Sequence, residues 1–140
     1  MSILVDTGAW YALADKSDSN HEAAKSFYVE KVGILPFVTT EAIVVETWAL
    51  INAHLGRIAA MSYWSMLLET RLPVLFLEPV EIEIAWVIGK DYPDQDFSFV
   101  DCTTFALMER RGITEAFTFD RHFWVFRYGP GRRKALSCLP

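Results

Sequence analysis

Four acidic residues stand beside apolar sequence, where a carboxylate is least at ease. Asp6 ends the run Ile3-Leu4-Val5, and Glu46 separates Ile43-Val44-Val45 from Trp48-Ala49-Leu50-Ile51. Asp101 follows Phe99-Val100, and Asp120 closes Ala116-Phe117-Thr118-Phe119. Burying a carboxylate is unfavourable unless it is paired, neutralised or bound to a cation. Four such acids at the edges of apolar segments point to one shared site, and a divalent metal is the simplest agent that would hold them together. Mg²⁺ and Mn²⁺ prefer oxygen ligands and keep several waters. One ion can activate water, and a second can stabilise the leaving oxygen, in phosphodiester cleavage. Without a cation, carboxylates ~4 Å apart repel by about 4 kcal/mol per pair at an effective dielectric of ~20. Such a site is expected to be strained, loosely ordered or partly protonated.

Each acid also has a bland local explanation. Ser98-Phe99-Val100-Asp101 has the spacing of a capping box, and a first-turn carboxylate suits the helix dipole. Asp120 could simply cap a helix, with Thr118 placed to hydrogen-bond in the same strand-end turn. Glu46 could pair with a lysine or arginine, although its helical neighbours Ala42, Ile43, Ala49 and Leu50 aim it along an apolar stripe. His122, beside Phe123 and Trp124, reads as packing or surface before it reads as a base. Asp94 and Asp96 are within reach of the site but read as solvated loop acids, and the Trp and Phe residues read as core.

The elements that must position these acids follow from hydrophobic period and punctuation. Residues 2–6 read as a buried strand and Thr7 to Ala14 as a helix, followed by the polar turn 15–20. His21 to Val32 reads as an amphipathic helix ending at Gly33, and 35–38 as a second strand held near an edge or start by Pro36. Thr39 or Thr40 caps a long apolar helix ending near Gly56, and a further helix covers 57–70. Then come a strand at 74–77, a helix at 80–90, an acidic loop at 91–97 and a helix from Ser98 to Arg111 stopped by Gly112. A strand at 116–119, a short helix at 121–128 and a strand at 135–138 complete the pattern. Short apolar strands alternating with helices predict an α/β fold with a mostly parallel sheet of four to five strands, covered on both faces. Ligands of such sheets bind at the carboxyl ends of the strands. Asp6 and Asp120 both lie at strand ends and share a site only if their strands are neighbours or nearly so.

At 140 residues the expectation is a single domain, residues 1–140, with a sizeable core. No segment approaches the ~20 apolar residues of a membrane span, and Asp6 comes too early for a signal peptide, so a cytoplasmic protein without membrane contact is expected. Cys102 and Cys138 form no CxxC pair and read as buried or half-buried thiols. The net charge of −5 argues against a protein that coats nucleic acid indiscriminately. Charge is uneven, however. From Arg110 to Lys134 seven bases face two acids, +5 in all, which leaves −10 for the rest. A basic strip beside an acidic, metal-loaded pocket would suit a polyanion.

The segments Ile3-Leu4-Val5-Asp6-Thr7-Gly8-Ala9-Trp10, Val44-Val45-Glu46-Thr47, Ser98-Phe99-Val100-Asp101-Cys102 and Thr118-Phe119-Asp120-Arg121-His122-Phe123, in this order, resemble the acidic signature of PIN-domain proteins. The best match is to the VapC-type ribonuclease toxins of toxin–antitoxin pairs. The likeness runs through essentially the whole chain and includes Asp18-Ser19-Asn20-His21-Glu22-Ala23. It implies a three-layer α/β/α sandwich, RNA cleavage dependent on Mg²⁺ or Mn²⁺, homodimerisation and neutralisation by an antitoxin. It also implies that Asp6 and Asp101 are the principal metal ligands, that Glu46 and Asp120 complete the catalytic pocket directly or through water, and that Thr7 supports it. An apolar groove near Trp48 and Trp64 would suit an antitoxin peptide.

Three other readings stand beside this one. Asp6-Thr7-Gly8 after an apolar strand is similar to small dimeric aspartic proteases, but those need an all-β chain and leave three acids unexplained. A phosphoryl-acceptor domain would need a second acid next to Asp6 or a well-placed late lysine. A catalytically silent PIN-like RNA-binding or assembly module has no reason to keep all four acids.

Overall fold

The computed structural model describes residues 1–140. The chain opens on β1 (Ile3–Val5), α1 (Thr7–Ala14) and α2 (His21–Lys31), and continues through β2 (Phe37–Thr40), α3 (Glu41–Leu55), α4 (Arg57–Thr70) and β3 (Val74–Leu75). Next come α5 (Pro79–Asp91), α6 (Phe99–Arg111), β4 (Glu115–Phe117) and the short α7 (Arg121–Val125). The strands β5 (Arg127–Tyr128), β6 (Lys134–Ala135) and β7 (Ser137–Leu139) finish it. No helix is long and apolar enough to cross a membrane.

Five strands form one parallel sheet in the order β3-β2-β1-β4-β7. Its central strand, Ile3-Leu4-Val5, is buried throughout, as a strand covered on both faces must be. The chain steps outward from β1 to β2 to β3, then crosses back to place β4 on the other side of β1. Parallel crossovers are right-handed, so this reversal sends the helices to opposite faces. Contacts agree: α1 packs on α2 and α3, and α3 on α4, whereas α5 packs on α6. The expected α/β sandwich is thus observed. Its point of reversal lies between β1 and β4, where the register Val5 with Phe117 sets Asp6 beside Thr118. A crevice at that point, outside the carboxyl ends of the strands, is the usual ligand site of such folds.

Helix ends follow local chemistry. The Thr40 hydroxyl accepts the Ile43 amide at 3.0 Å and starts α3, a cap worth about 1 kcal/mol. Gly112, at φ 70°, stops α6. The expectation that the Trp and Phe residues are core holds in part: Phe105 stacks on Phe126 at 4.4 Å and meets Phe123 edge-on, whereas Phe76, Phe99, Trp64, Trp86 and Trp124 are exposed. Trp10 is also core, since its indole N–H donates to the Thr39 hydroxyl at 3.3 Å. Both cysteines are free thiols, one buried and one half-buried.

Two expectations fail near the end of the chain. The helix at 121–128 stops at Val125, because Phe126 turns extended (φ −60°, ψ 141°) and Arg127 begins a strand. The strand at 135–138 is divided: Lys134–Ala135 pairs antiparallel with β5, Ser137–Leu139 pairs parallel with β4, and buried Leu136 lies at the break.

The most deeply buried acid is one the sequence pattern did not single out. Glu81, 0% exposed, sits in the first turn of α5, where its Oε1 accepts the Glu78 amide at 2.9 Å. Arg111 of α6 grips it with two hydrogen bonds, Nε to Oε2 and Nη2 to Oε1, both 2.8 Å, and Arg110 adds one at 3.4 Å. Burial alone would raise this carboxyl, but the Arg111 hydrogen bonds and charge, with the Glu78 amide and Arg110, hold it below the usual range. The pair ties α5 to α6, and breaking a buried pair leaves an uncompensated charge. Glu81→Gln is therefore expected to destabilise the fold by about 3–5 kcal/mol in urea unfolding near neutral pH. A depressed carboxyl stabilises above its unfolded value of 4.5. The gap between wild type and variant should therefore shrink as pH falls below that value.

Candidate active site

Asp6 is the first residue beyond β1 and the N-cap of α1, yet its side chain makes no cap bond. Backbone amides of Ala9 and Trp10 are satisfied instead by the Asp6 carbonyl, each at 3.1 Å. The carboxylate is free to turn into the crevice at the β1–β4 junction. It is 6% exposed, and its Oδ2 accepts the Thr118 hydroxyl at 3.2 Å. Burial raises the Asp6 carboxyl to about 7; the Asp120 and Asp101 charges add to the rise, while the Thr7 amide and Thr118 hydroxyl oppose it.

Thr118 is the hinge of the site. Its hydroxyl donates to Asp6 and accepts the Asp120 amide at 3.0 Å, so one buried oxygen couples the ends of both central strands. Asp120 in turn caps α7, its Oδ1 accepting the His122 amide at 2.9 Å. Asp101 arrives from the other direction, in the first turn of α6. Its capping box is reciprocal: the Asp101 amide donates to Ser98 Oγ, and Asp101 Oδ2 accepts the Ser98 amide, both at 3.0 Å. Rigid first-turn placement and participation in a site are compatible, because the carboxylate keeps free lone pairs.

His122 joins these acids, although its place beside Phe123 and Trp124 reads as packing or surface. Its Nδ1 lies 2.9 Å from Asp101 Oδ2 and 3.6 Å from Asp120 Oδ1. With carboxylate oxygens on both sides, Nδ1 carries the proton and donates. Ligand atoms of Asp101, Asp120 and His122 all lie within 4.8 Å of one another. The available signal was helical position. A residue two places after a capping Asp lies in the same turn, over the same strand end.

Glu46 stands apart from this group. It is half-buried on α3, makes no ion pair, and is not among the charges acting on Asp6. The pairing with lysine or arginine that could have explained it is therefore not realised. Asp94 and Asp96 are exposed on the loop before α6 and lie outside the group. Thr7 offers its backbone amide to Asp6, while its hydroxyl is buried without a hydrogen-bond partner.

A hard divalent cation fits this donor set. The Asp101 and Asp120 carboxylates converge beside His122, both charges act on the buried Asp6, and no lysine or arginine lies within 4.0 Å of any of the three acids. Asp6, Asp101 and Asp120 are the residues that would hold it, with His122 and Thr118 orienting them.

A parallel α/β sheet with acids converging at its reversal point defines an acidic-pocket protein suited to a metal ion and an anionic ligand. The PIN domain family model matches residues 3–126, and the chain belongs to that family. The 23S rRNA-specific endonuclease VapC20 of Mycobacterium tuberculosis, in strains CDC 1551 / Oshkosh and H37Rv, is 34% identical over 121 residues, covering 86% of this chain and 91% of the relative. The crystal structure of M. tuberculosis VapC20, a Sarcin-Ricin loop cleaving toxin, superposes with a TM-score of 0.78 at 33% identity, covering 85% of this chain and 90% of that one. VapBC2 from Rickettsia felis, bound to a DNA fragment from its promoter, shares the fold at TM-score 0.67 and 9% identity, over 86% and 89% of the two chains.

A raised carboxyl favours the folded state at low pH and loses that contribution as pH climbs from 3.8 to about 7. A shift of that size is worth roughly 4 kcal/mol. In chelator, Asp6→Asn should therefore melt higher than wild type, by a margin that widens across this window. Added Mg²⁺ or Mn²⁺ should raise the wild-type melting temperature and leave the variant nearly unmoved. Differential scanning fluorimetry in both conditions checks the sign.

Proposed function

We propose that this chain is a Mg²⁺- or Mn²⁺-dependent endoribonuclease, the toxin of a toxin–antitoxin pair, and that its 140 residues work as one nuclease domain. The observation that carries the reading is the junction of Asp6, Asp101 and Asp120 at the carboxyl ends of β1 and β4. Likeness to an endonuclease that acts on 23S rRNA supports ribosomal RNA as the substrate class and the cytoplasm as the place of action.

Asp6, Asp101 and Asp120 would hold the cation, while Glu46, half-buried on α3 outside that group, would act only through water. A bound divalent ion supplies Lewis acidity and lowers the pKa of coordinated water. The chain's own residues do the rest. Thr118 fixes the Asp6 carboxylate at 3.2 Å and keeps Asp120 in register with it. His122 holds Asp101 Oδ2 at 2.9 Å and keeps that carboxylate from rotating away. The Thr7 amide gives Asp6 a further donor. Positioned groups of this kind remove orientational freedom from the reacting partners.

Two exposed apolar surfaces support the proposed partners. Val44, Val45, Trp48, Ala49 and Trp64 line an apolar hollow of about 400 Å³ between α3 and α4. Trp64 is half exposed there, and the Trp48 indole N–H is buried without an acceptor. An antitoxin segment with apolar side chains fits it. Ile82, Val87 and Trp86 on α5 leave a second apolar face exposed, which suits a second copy of the chain in a homodimer.

Purified protein with Mg²⁺ or Mn²⁺ is expected to cut RNA, to stop on addition of EDTA, and to lose activity in Asp6→Asn and Asp101→Asn while circular dichroism stays native. Thr118→Val, which removes the hydroxyl coupling, should cost about 10–100-fold. Full activity in both Asp variants would sink the assignment.

A further inference from the structure

Seven bases lie between Arg110 and Lys134, and four of them are committed inside the protein. Arg110 reaches Glu78 at 2.6 Å, and Arg111 is locked on Glu81. Arg127 Nη1 donates to the carbonyls of Trp124, Val125 and Phe126 and so closes the end of α7. Arg132 holds Asp91 Oδ2 through Nε at 3.1 Å and Nη2 at 3.0 Å. The remaining three, Arg121, Arg133 and Lys134, are exposed and have no carboxylate within 4.0 Å. From Arg121 to the end of the chain there is no acid at all.

The β5–β6 hairpin carries two of these three cations on a braced turn. Gly129 (φ 80°), Gly131 (φ 71°) and Arg132 (φ 50°) all adopt left-handed backbone. That conformation is strained for arginine and persists only where surroundings over-determine it. Here the Arg132 side chain is fixed by Asp91, its guanidinium lies 5.8 Å from the Tyr92 ring centre and 5.7 Å from that of Phe126, and the Gly129 amide donates to Glu109 at 2.8 Å. The brace turns Arg133 and Lys134 to solvent, with Lys134 Nζ 6.0 Å from the Tyr128 ring centre. The hairpin also lies beyond the stretch 3–126 that the family model covers. Glu109, its anchor, is eight residues from Asp101, about 12 Å along α6. That distance is roughly four stacked nucleotides. On α7 between them, Arg121 and half-exposed Trp124 are three residues apart and share a face.

We propose that the β5–β6 hairpin is an RNA-gripping arm: Arg133 and Lys134 bind backbone phosphates, Trp124 stacks a base, and Arg121 leads the strand to the acids. This rests on the ribonuclease reading. A half-exposed indole on the same helix face as an unpaired arginine favours a nucleic-acid strand over an acidic peptide, which has no bases to stack.

Fluorescence anisotropy with a labelled single-stranded RNA oligonucleotide across a KCl series tests it, on the Asp6→Asn background so that the probe survives. Arg133→Glu/Lys134→Glu should lower the slope of log affinity against log salt by about 1.4, two phosphates at about 0.7 each, which is a roughly 25-fold loss at about 0.1 M salt. Trp124→Ala should weaken binding without changing the slope. Lys16→Glu/Lys25→Glu alters net charge equally on exposed positions of another face and should change neither quantity. The arm is overturned if the hairpin variant keeps its affinity and slope, or if the Lys16/Lys25 control loses as much. It also falls if the hairpin variant loses a glutamate-rich peptide while retaining RNA. Cleavage by the protein with intact acids separates the two readings. Cutting with an unaltered KM in the hairpin variant rejects the arm alone; an unsubstituted protein that neither binds nor cuts RNA with either metal rejects both.

Discussion

Asp6 must be buried and yet stay available, and the molecule is arranged around that demand. A carboxylate at the end of a central strand loses its water and faces two further acids, which is why it is pushed to about 7. What keeps it in place is the Thr118 hydroxyl, which donates to Asp6 and accepts from Asp120. That bridge exists only because β1 and β4 are neighbours in register, Val5 opposite Phe117. The neighbouring strands are far apart in sequence, and the reversal of chain direction after β3 brings them together. Topology, register and one threonine thus hold up a single carboxyl group.

Glu81 shows the other solution to the same physical problem. It is more deeply buried than Asp6, but two arginines and a backbone amide saturate its oxygens, and its carboxyl is lowered instead of raised. A buried acid with its charge answered by arginine is a strut between helices. A buried acid answered only by a hydroxyl and an amide has a positive partner still missing. The opposite directions of the two shifts therefore separate a structural acid from a site acid, although burial alone would rank them the other way.

The sequence already contained the locally written parts. Gly56 and Gly112 marked helix ends, Thr40 capped α3, and the apolar run before Asp6 made a buried strand. The capping box at Ser98 and Asp101 is legible within four residues. What escaped notice depends on partners far along the chain. Glu81 reads as a surface acid until Arg111, thirty residues later, is folded against it. His122 reads as packing until α6 brings Asp101 to its Nδ1. The hairpin was hidden in an apparent helical continuation, since nothing near Arg127 announces that its amide will donate to Tyr92 Oη. Glu46 is the converse: its apolar stripe was legible, but half-burial on α3 leaves it outside the tight group around His122.

Charge is where local counting misleads most. A strip of +5 beside acids suggests one continuous surface for a polyanion, yet Arg110, Arg111 and Arg132 answer acids of the same chain, and Arg127 answers the carbonyls at the end of α7. Those arginines add little to the outward field, because each is already compensated at short range. Cations without a partner project further, and in this stretch they are confined to α7 and the hairpin. A net charge of −5 and a local affinity for phosphate are therefore compatible. On the proposed reading, a metal ion would neutralise the acids, and the free bases would meet a strand leaving that pocket.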